Sequence, residues 1–360
     1  MSIDDASPAE EHRFLAFLRK QRWWAGRIAV VPVHLSSWAL IVFFLIRAIP
    51  GDPVITVTGG QITPEIYARV KRSLGLDGSI IHQLSTYYSS LLHFRLGNSM
   101  VSGTPVVSDL AVRLPATVEL ALQAMIAVVV VSLVGSYLVV MYPQNKVSRV
   151  VRGYACAAGA IPEVCVGIGL IAIFFTALRW APAPLGRISP NLSQPSSITG
   201  MPFLDSILHG NWSVTLSMME HLVLPITVEI VAQSAVLIKL LTSGLEEAME
   251  AAPTRFRIAS GASRRVVVLS LYRRALPTAV AMLGMMFGYL LGGAVILETL
   301  FGFTGMGVYM IDAVNAKDLV VMQAFLLTMA AVSLTVFLII DLVNMLLDPR
   351  RRPGVQVEGS

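Results

Sequence analysis

Long apolar segments recur along the chain, separated by polar segments of unequal length. Each holds about twenty residues or more, which is what an α-helix needs to cross a hydrocarbon core of about 30 Å. Few charges interrupt them, because a central lysine, arginine or aspartate costs about 2.5–3.5 kcal/mol on the insertion scale. The predicted spans are Ile28–Ala48, Pro115–Met141, Val151–Leu178, His221–Leu241, Leu276–Leu297 and Val320–Leu346.

This pattern predicts an all-α polytopic membrane protein with about six transmembrane helices. The transmembrane domain covers 28–346, between a tail over 1–27 and a second tail over 347–360. The first tail ends in basic residues, and the apolar run after it is long enough to span and lacks a small-residue cleavage site, so a removed signal is not expected. Three longer loops lie within the domain, over 50–114, 179–220 and 242–275.

The distribution of lysine and arginine predicts the orientation. If both termini are cytoplasmic, 18 of the 27 basic residues lie on the cytoplasmic side. The positive-inside rule therefore favours cytoplasmic termini, a cytoplasmic loop over 242–275 and extracytoplasmic loops over 50–114 and 179–220. The net charge of +5 reflects this bias, so no nucleic-acid partner is implied.

Composition supports a lipid environment. Hydrophobic residues make up 55 % of the chain and charged residues 14 %, with a mean hydropathy of +0.71. A soluble domain carries about 25 % charged residues, so lipid must cover much of this surface. The two cysteines, Cys156 and Cys165, share an apolar run and are predicted to be buried and unbridged.

The two extracytoplasmic loops differ in pattern. In the first, Thr63 and Pro64 begin a predicted short helix that ends near Gly75. The stretch from Ile80 to Phe94 has apolar residues at helical spacing, and it either lies along the membrane surface or packs on the protein. The loop over 179–220 is rich in proline, serine and glycine and is predicted to be irregular and exposed.

The loop over 242–275 has internal structure. Strong helix formers extend to Ala252, and Pro253 should break that run because it lacks an N–H and clashes with the preceding turn. A short helix should follow and end at Gly261, and Ser263 can then cap the next helix. Pro277 is predicted to open the fifth span. A short helix between two breaks is a plausible contact element for another protein.

Short segments beside the spans carry a family resemblance. They are Ile49–Pro53, Leu74–Asp77, Leu96–Ser99 with Thr104–Val106, Arg113–Leu120, Gly292–Phe301 with Gly305–Gly307, and Asp348–Arg350. Their order and their distances from the spans resemble those of permease subunits of binding-protein-dependent ABC importers. The best match is the B-type permease of the dipeptide, oligopeptide and nickel group, over nearly the whole chain.

The resemblance implies the type I ABC importer permease fold in a bacterial inner membrane. It also implies a second homologous permease, two ABC ATPase subunits and an extracytoplasmic solute-binding protein as partners. The chain has no cofactor or metal of its own in this interpretation, because ATP and magnesium bind to the ATPases. None of its five lysines follows a glycine, so it has no Walker A loop.

In this family a coupling helix in the cytoplasmic loop docks onto the ATPase. Glu250-Ala251-Ala252 spells the loop's usual triplet, but it lies too far from Gly261 for the family spacing. We therefore align the loop on Gly261. The predicted ATPase-coupling residues are Arg255, Phe256, Arg257, Ile258, Ala259, Ser260, Gly261 and Ala262.

Acidic and small residues within the spans are candidates for the pathway or gate. Acids inside a membrane are costly and either line pathways or pair between helices. Small residues let helices approach closely, so the glycines of span five are expected to face the partner permease. The candidates are Glu229, Gly288, Gly292, Glu298 and Asp341. Glu163 also lies in a span, and Glu298 fits a structural role at the outer gate.

Three function classes are weighed. A permease subunit that imports peptides explains the loop and the motifs, with nickel or another small solute as the alternative cargo. A secondary transporter or channel would need no docking loop. An intramembrane enzyme would need a catalytic pair in a span, and the sequence contains neither H-E-x-x-H nor G-x-S-x-G.

Overall fold

The computed structural model describes residues 8–48, 54–55, 63–73, 77–157 and 162–347, and the regular structure of these residues is helical apart from one isolated bridge. The motif segments Ile49–Pro53, Leu74–Leu76 and Asp348–Arg350 lie outside them. The helices are α1 Pro8–Arg47, α2 Pro64–Ser73, α3 Ile80–Leu92, α4 Val106–Met141, α5 Lys146–Cys156, α6 Glu163–Leu170 with a π-helical continuation Ile171–Ala177, α7 Pro202–Leu208, α8 Trp212–Glu250, α9 Ala252–Ala259, α10 Arg264–Leu300, α11 Met306–Asn315 and α12 Leu319–Leu347.

Five of these helices are long and apolar enough to cross a membrane. They are α1 from Gly26 onwards, α4, α8, α10 and α12. A sixth apolar helix, Glu163–Ala177, is shorter. The all-helical polytopic fold is therefore confirmed, while the number of full-length spans among the described residues is five.

The predicted third span, Val151–Leu178, is wrong in its first part. Its initial residues belong to α5, which begins at Lys146 and is amphipathic, with Ser148 and Ala155 buried. Arg152 on this helix forms an ion pair with Glu246 of α8 at 2.9 Å, which is inconsistent with a position inside a membrane span. Pro162 then occupies the N-cap position of the separate helix α6, without a capping hydrogen bond.

Prolines inside the spans do not end the helices there. Pro115, Pro225 and Pro277 lie within α4, α8 and α10, so Pro277 does not open the fifth span as predicted. Proline is tolerated in membrane helices because neighbouring groups satisfy the freed backbone. The helices consequently extend beyond the predicted spans, and α8 reaches 39 residues.

The core is formed by α4, α8, α10 and α12. Ala124 and Val128 of α4 pack with Leu241 of α8 and with Phe287 and Leu290 of α10. Helix α1 lies against α12, where Trp38 donates a hydrogen bond to the Leu326 carbonyl. The two cysteines are exposed rather than buried as predicted, because they lie on outward faces of α5 and α6.

The first loop packs on the protein. Tyr88 of α3 donates a 2.6 Å hydrogen bond to the Ser36 carbonyl of α1, and Arg47 of α1 donates to Gln83 of α3. Of the two alternatives for this segment, packing against α1 is therefore the one observed. The outward face of α3 remains apolar, since Ile81 is 80 % exposed.

The loop over 179–220 is more ordered than predicted. It contains α7 and the first turns of α8, and it buries Arg187, Asp205 and Ser206. Burial alone would raise the pKa of Asp205, but hydrogen bonds from the side chain and backbone of Thr199 outweigh it and lower that pKa. These local polar contacts replace the apolar pattern that usually identifies a packed segment.

The glycines of α10 separate into two kinds. A Cβ at Gly284 would lie 2.6 Å from Cδ2 of Phe337 on α12, whereas a Cβ at Gly288 or Gly292 would meet nothing within 4 Å. Gly288 and Gly292 are exposed, and their contact with a partner permease stays a prediction. Gly284 instead allows α10 and α12 to approach each other.

We expect Gly284→Ala to be less stable than Gly288→Ala by about 1–3 kcal/mol, the usual cost of overpacking. Both variants gain the same helix propensity of about 1 kcal/mol, so their difference isolates the clash with Phe337. Thermal unfolding of the two purified variants in detergent measures it. Equal stability would show that α10 and α12 do not pack closely at Gly284.

Candidate functional site

A short exposed helix, α9, connects the two longest core helices at their predicted cytoplasmic ends. Helix α8 ends at Glu250 because Pro253 has no N–H and its ring clashes with the carbonyl four residues earlier. Ala251 adopts an extended conformation, and α9 begins at Ala252. The break therefore falls inside Glu250-Ala251-Ala252, and the prediction that the preceding helix extends to Ala252 is wrong.

Gly261 ends α9 in the left-handed conformation that was predicted for a helix cap. Its φ is +75°, and its N–H donates to the carbonyl of Ile258. The N–H of Ala262 donates to the carbonyl of Arg257. This pair of hydrogen bonds is a Schellman motif, which favours glycine because a Cβ strains the backbone at positive φ.

The exposed helix begins and ends three residues earlier than the predicted coupling segment Arg255–Ala262. The helix covers Ala252–Ala259, whereas Ser260, Gly261 and Ala262 form its cap and the turn after it. Ser263 is the N-cap residue of α10, although its side chain makes no capping hydrogen bond. The role of Arg255–Ala262 in ATPase coupling stays a prediction.

Helix α9 presents apolar side chains that no described residue of the chain covers. Phe256 is 73 % exposed and Ile258 is 51 % exposed, while Arg255 and Arg257 beside them are also exposed. Within α9, Thr254 is the buried residue. Two large apolar side chains between two guanidinium groups fit a protein surface that has an apolar pocket and acidic residues.

The helix ends that flank α9 are packed together. Leu245 and Ala248 of α8 pack against Val267, Leu271 and Ala275 of α10 in one buried cluster. A displacement of α9 must therefore move the ends of α8 and α10 together, because closely packed side chains do not deform continuously.

A second polar arrangement, which we call the Glu298 clasp, consists of Thr117, Glu298, Met306 and Gly307. The Glu298 carboxylate is fully buried and accepts hydrogen bonds from the Thr117 hydroxyl and, at 2.6 Å, from the Gly307 N–H. The Thr117 hydroxyl also accepts the Met306 N–H at 2.9 Å. The clasp fixes the start of α11 to the predicted extracytoplasmic ends of α4 and α10.

Glycine is required at position 307 of the clasp. A Cβ there would lie 2.5 Å from Cα and 2.8 Å from the carbonyl oxygen of Val295, both of which are backbone atoms. Any side chain would therefore push α11 away from α10. Glu298 is thus buried in polar contacts between helices, and its predicted role at an outer gate stays a prediction.

A buried arginine attaches the loop over 179–220 to the same region. Arg187 donates to the Ala116 carbonyl at 3.1 Å, lies 3.9 Å from the Glu119 carboxylate and stacks 4.8 Å from the centre of the Phe303 ring. Glu119 in turn accepts the N–H groups of Phe203 and Leu204, which caps α7. Sequence reasoning missed Arg187, Glu119 and Thr117 as site residues, although two of them lie in the motif Arg113–Leu120.

The other pathway candidates are not brought together. Asp341 of α12 forms an ion pair with Arg27 of α1 at 3.0 Å, so it joins two outer helices. Gly288 and Gly292 face open space on α10. Glu229 is buried beside Glu163 and Gly293, in the interior of the helix bundle.

Comparison with known proteins gives two family matches. Residues 127–353 match the family described as binding-protein-dependent transport system inner membrane component. Residues 21–121 match the N-terminal region of such membrane components.

Similarity also extends to individual proteins over nearly their full length. The chain is 30 % identical to the probable D,D-dipeptide transport system permease protein DdpB of Escherichia coli K12, over 94 % of this chain and 97 % of that protein. It is 30 % identical to the dipeptide transport system permease protein DppB of the same organism, over 90 % and 96 %. A putative peptide transport system permease protein of Brucella abortus strain 2308 is 28 % identical, over 89 % and 96 %.

We expect Thr117→Val to destabilise the protein by about 1–3 kcal/mol. The substitution keeps the shape of the side chain but leaves the Met306 N–H and one Glu298 oxygen buried without a partner. Unfolding in detergent measures the loss, and hydrogen exchange should show faster exchange in Met306–Asn315.

The matched control for this prediction is Thr227→Val. The Thr227 hydroxyl makes an exposed hydrogen bond to the Val223 carbonyl of its own helix, and no other described residue bonds to it, so its loss should be nearly neutral. Equal effects of the two substitutions would show that the clasp contributes no specific stability.

Proposed function

The chain belongs to the family of binding-protein-dependent transport system inner membrane components, and from this premise we propose that it is the permease subunit of an ATP-driven peptide importer. The family is a transport family and not a catalytic one, and its fold is that of type I ABC importer permeases. The chain is accordingly a multi-pass protein of the bacterial inner membrane. Transport in this family depends on a solute-binding protein and ATPase partners.

Peptides are the proposed cargo. The observation that carries this proposal is the similarity, over nine tenths of the chain, to permeases named for dipeptide transport. Identity of about 30 % leaves room for a change of cargo, and nickel or another small solute is the alternative within the group.

The proposed assembly contains a second homologous permease and two ATPase subunits. The exposed face of α10 supports a permease partner, because Met285, Gly288, Tyr289 and Gly292 lie on it and are open or apolar. This chain would then form half of the translocation pathway. ATP and magnesium would bind to the ATPase subunits, and this chain would transmit their movement.

The proposed transmission runs through α9. Phe256 and Ile258 would insert into the ATPase surface, with Arg255 and Arg257 paired to acidic residues around them. Closure of the ATPase pair would displace α9, and the packed ends of α8 and α10 would carry that displacement into the membrane. This requires a stiff connection between a two-state motor and a two-state pathway.

Uptake by vesicles tests the cargo. The chain is reconstituted with its second permease, two ATPases and binding protein, and labelled dipeptide or labelled nickel is supplied outside. We expect accumulation of dipeptide that depends on internal ATP. Accumulation of nickel but not dipeptide would overturn the proposed cargo, and accumulation without ATP would favour a secondary transporter.

Substitution of Gly261 tests the coupling route. Among the described residues, no atom lies within 4 Å of a Cβ placed on Gly261, so Gly261→Val is expected to act through the positive φ of this position. Strain of about 1–3 kcal/mol should distort the end of α9 and lower ATP-dependent uptake roughly tenfold, while ATP hydrolysis continues.

Gly261→Asn is the matched control, because asparagine tolerates the left-handed conformation while adding a side chain of similar bulk. It should retain most of the uptake. Full uptake by Gly261→Val would contradict the assignment of α9 as the coupling helix, whatever the cargo.

A further inference from the structure

Two carboxyl groups from different helices meet inside the helix bundle. Glu163 is the first residue of α6, and Glu229 lies in the middle of α8. A Cβ on residue 293 of α10 would lie 2.6 Å from Oε1 of Glu229 and 2.7 Å from Oε1 of Glu163. Gly293 therefore leaves the space that both carboxyls occupy.

If both carboxyl groups are ionised, three of their buried oxygens have no hydrogen-bond donor among the described residues. A carboxylate only accepts hydrogen bonds. Among the described residues, no donor reaches Oε1 of Glu163 or either oxygen of Glu229, and Glu229 is 1 % exposed. The two Oε1 atoms lie 2.6 Å and 2.7 Å from one point, the position of a Cβ on residue 293, so the carboxyls face each other there. A hydrogen bond between them exists only if one of them carries a proton.

The ionisable groups on the surrounding helices are engaged elsewhere. Tyr154 of α5 donates to the carbonyls of Ile230 and Val231. On α10, Glu298 is held in its clasp and Tyr289 is exposed.

The remaining ionisable groups on α4 and α8 are also distant or occupied. On α4, Glu119 contacts Arg187 and caps α7. On α8, His221 and Lys239 lie more than two turns from Glu229. Within the described part of the chain, no cation is therefore in contact with the pair.

We propose that Glu163 and Glu229 bind one proton between them and form a carboxylic acid–carboxylate hydrogen bond that holds α6 against α8 and α10. The shared proton converts one acceptor into a donor and removes one of two adjacent like charges. Without these two changes the interior would hold two adjacent charges that water cannot solvate, which is energetically costly. The pair is thus a proton-binding site in the interior of the bundle.

The position of the pair links this proton to the arrangement of the helices. Glu163 is only half-buried and can exchange its proton, whereas Glu229 lies behind it. Helices α8 and α10 are the two that α9 joins. Loss of the proton leaves two carboxylates that repel each other, so the packed arrangement is favoured at lower pH and loosens as the pH rises. The cargo plays no part in this inference.

Infrared spectroscopy of the purified chain tests the shared proton. The wild-type protein should show a carbonyl absorption of a protonated carboxyl group that disappears as the pH rises. Glu229→Gln should lack this absorption, because its amide is a permanent donor to Glu163. Asp312→Asn is the control, since Asp312 is exposed on α11, and it should retain the absorption.

Thermal unfolding provides a second readout. The unfolding temperature of the wild-type protein should fall between mildly acidic and mildly alkaline pH, and that fall should be much reduced in Glu229→Gln. If Glu229→Gln does not fold, Glu163→Gln makes the same test from the half-buried side. Retention of the absorption, or of the full wild-type pH dependence, in the variant that folds would overturn the proposal.

Discussion

The hydrocarbon core of a bilayer offers no hydrogen bonds, so every polar group inside a span must find its partner within the protein. The Glu298 clasp is the clearest case in this protein, because its acid is fully buried. A fully buried carboxylate is satisfied by one hydroxyl and one backbone N–H, and these come from α4 and from the start of α11. Because the partners belong to different segments, satisfying one acid fixes three elements at once.

The loop over 179–220 lies outside the predicted spans, but its buried polar groups need partners for the same reason, because packed protein excludes water there. Arg187 is buried because Glu119, the Ala116 carbonyl and the Phe303 ring surround it, and Glu119 is buried because it also caps α7. A buried ion pair contributes little net stability, since desolvation offsets much of the attraction. Its effect is to specify one position for the loop, because removing either partner would leave an unpaired charge.

Local signals could be predicted from the sequence, whereas long-range polar pairing could not. The span positions follow from hydropathy, and the cap at Gly261 follows from one glycine after a short amphipathic run. Thr117 and Glu298 are 181 residues apart, and no local pattern identifies them as partners. The break between α5 and α6 was also missed, because the stretch from Val151 to Leu178 is mostly apolar and one of its few charges, Arg152, pairs with Glu246 of α8.

The glycines of α10 recur at near i, i+4 spacing but do not share one environment. Residues at i, i+4 spacing drift by about 40° around a helix at each step, so such a series does not remain on one face. Gly284 therefore packs against α12, whereas Gly288 and Gly292 turn into open space, and Gly293 faces Glu163 and Glu229. Helix α10 has neighbours on two sides and an open face between them, so a single copy of this chain leaves that face uncovered. The close approach that small residues permit is already used within the chain at Gly284 and Gly293, and it remains available to a second subunit at Gly288 and Gly292.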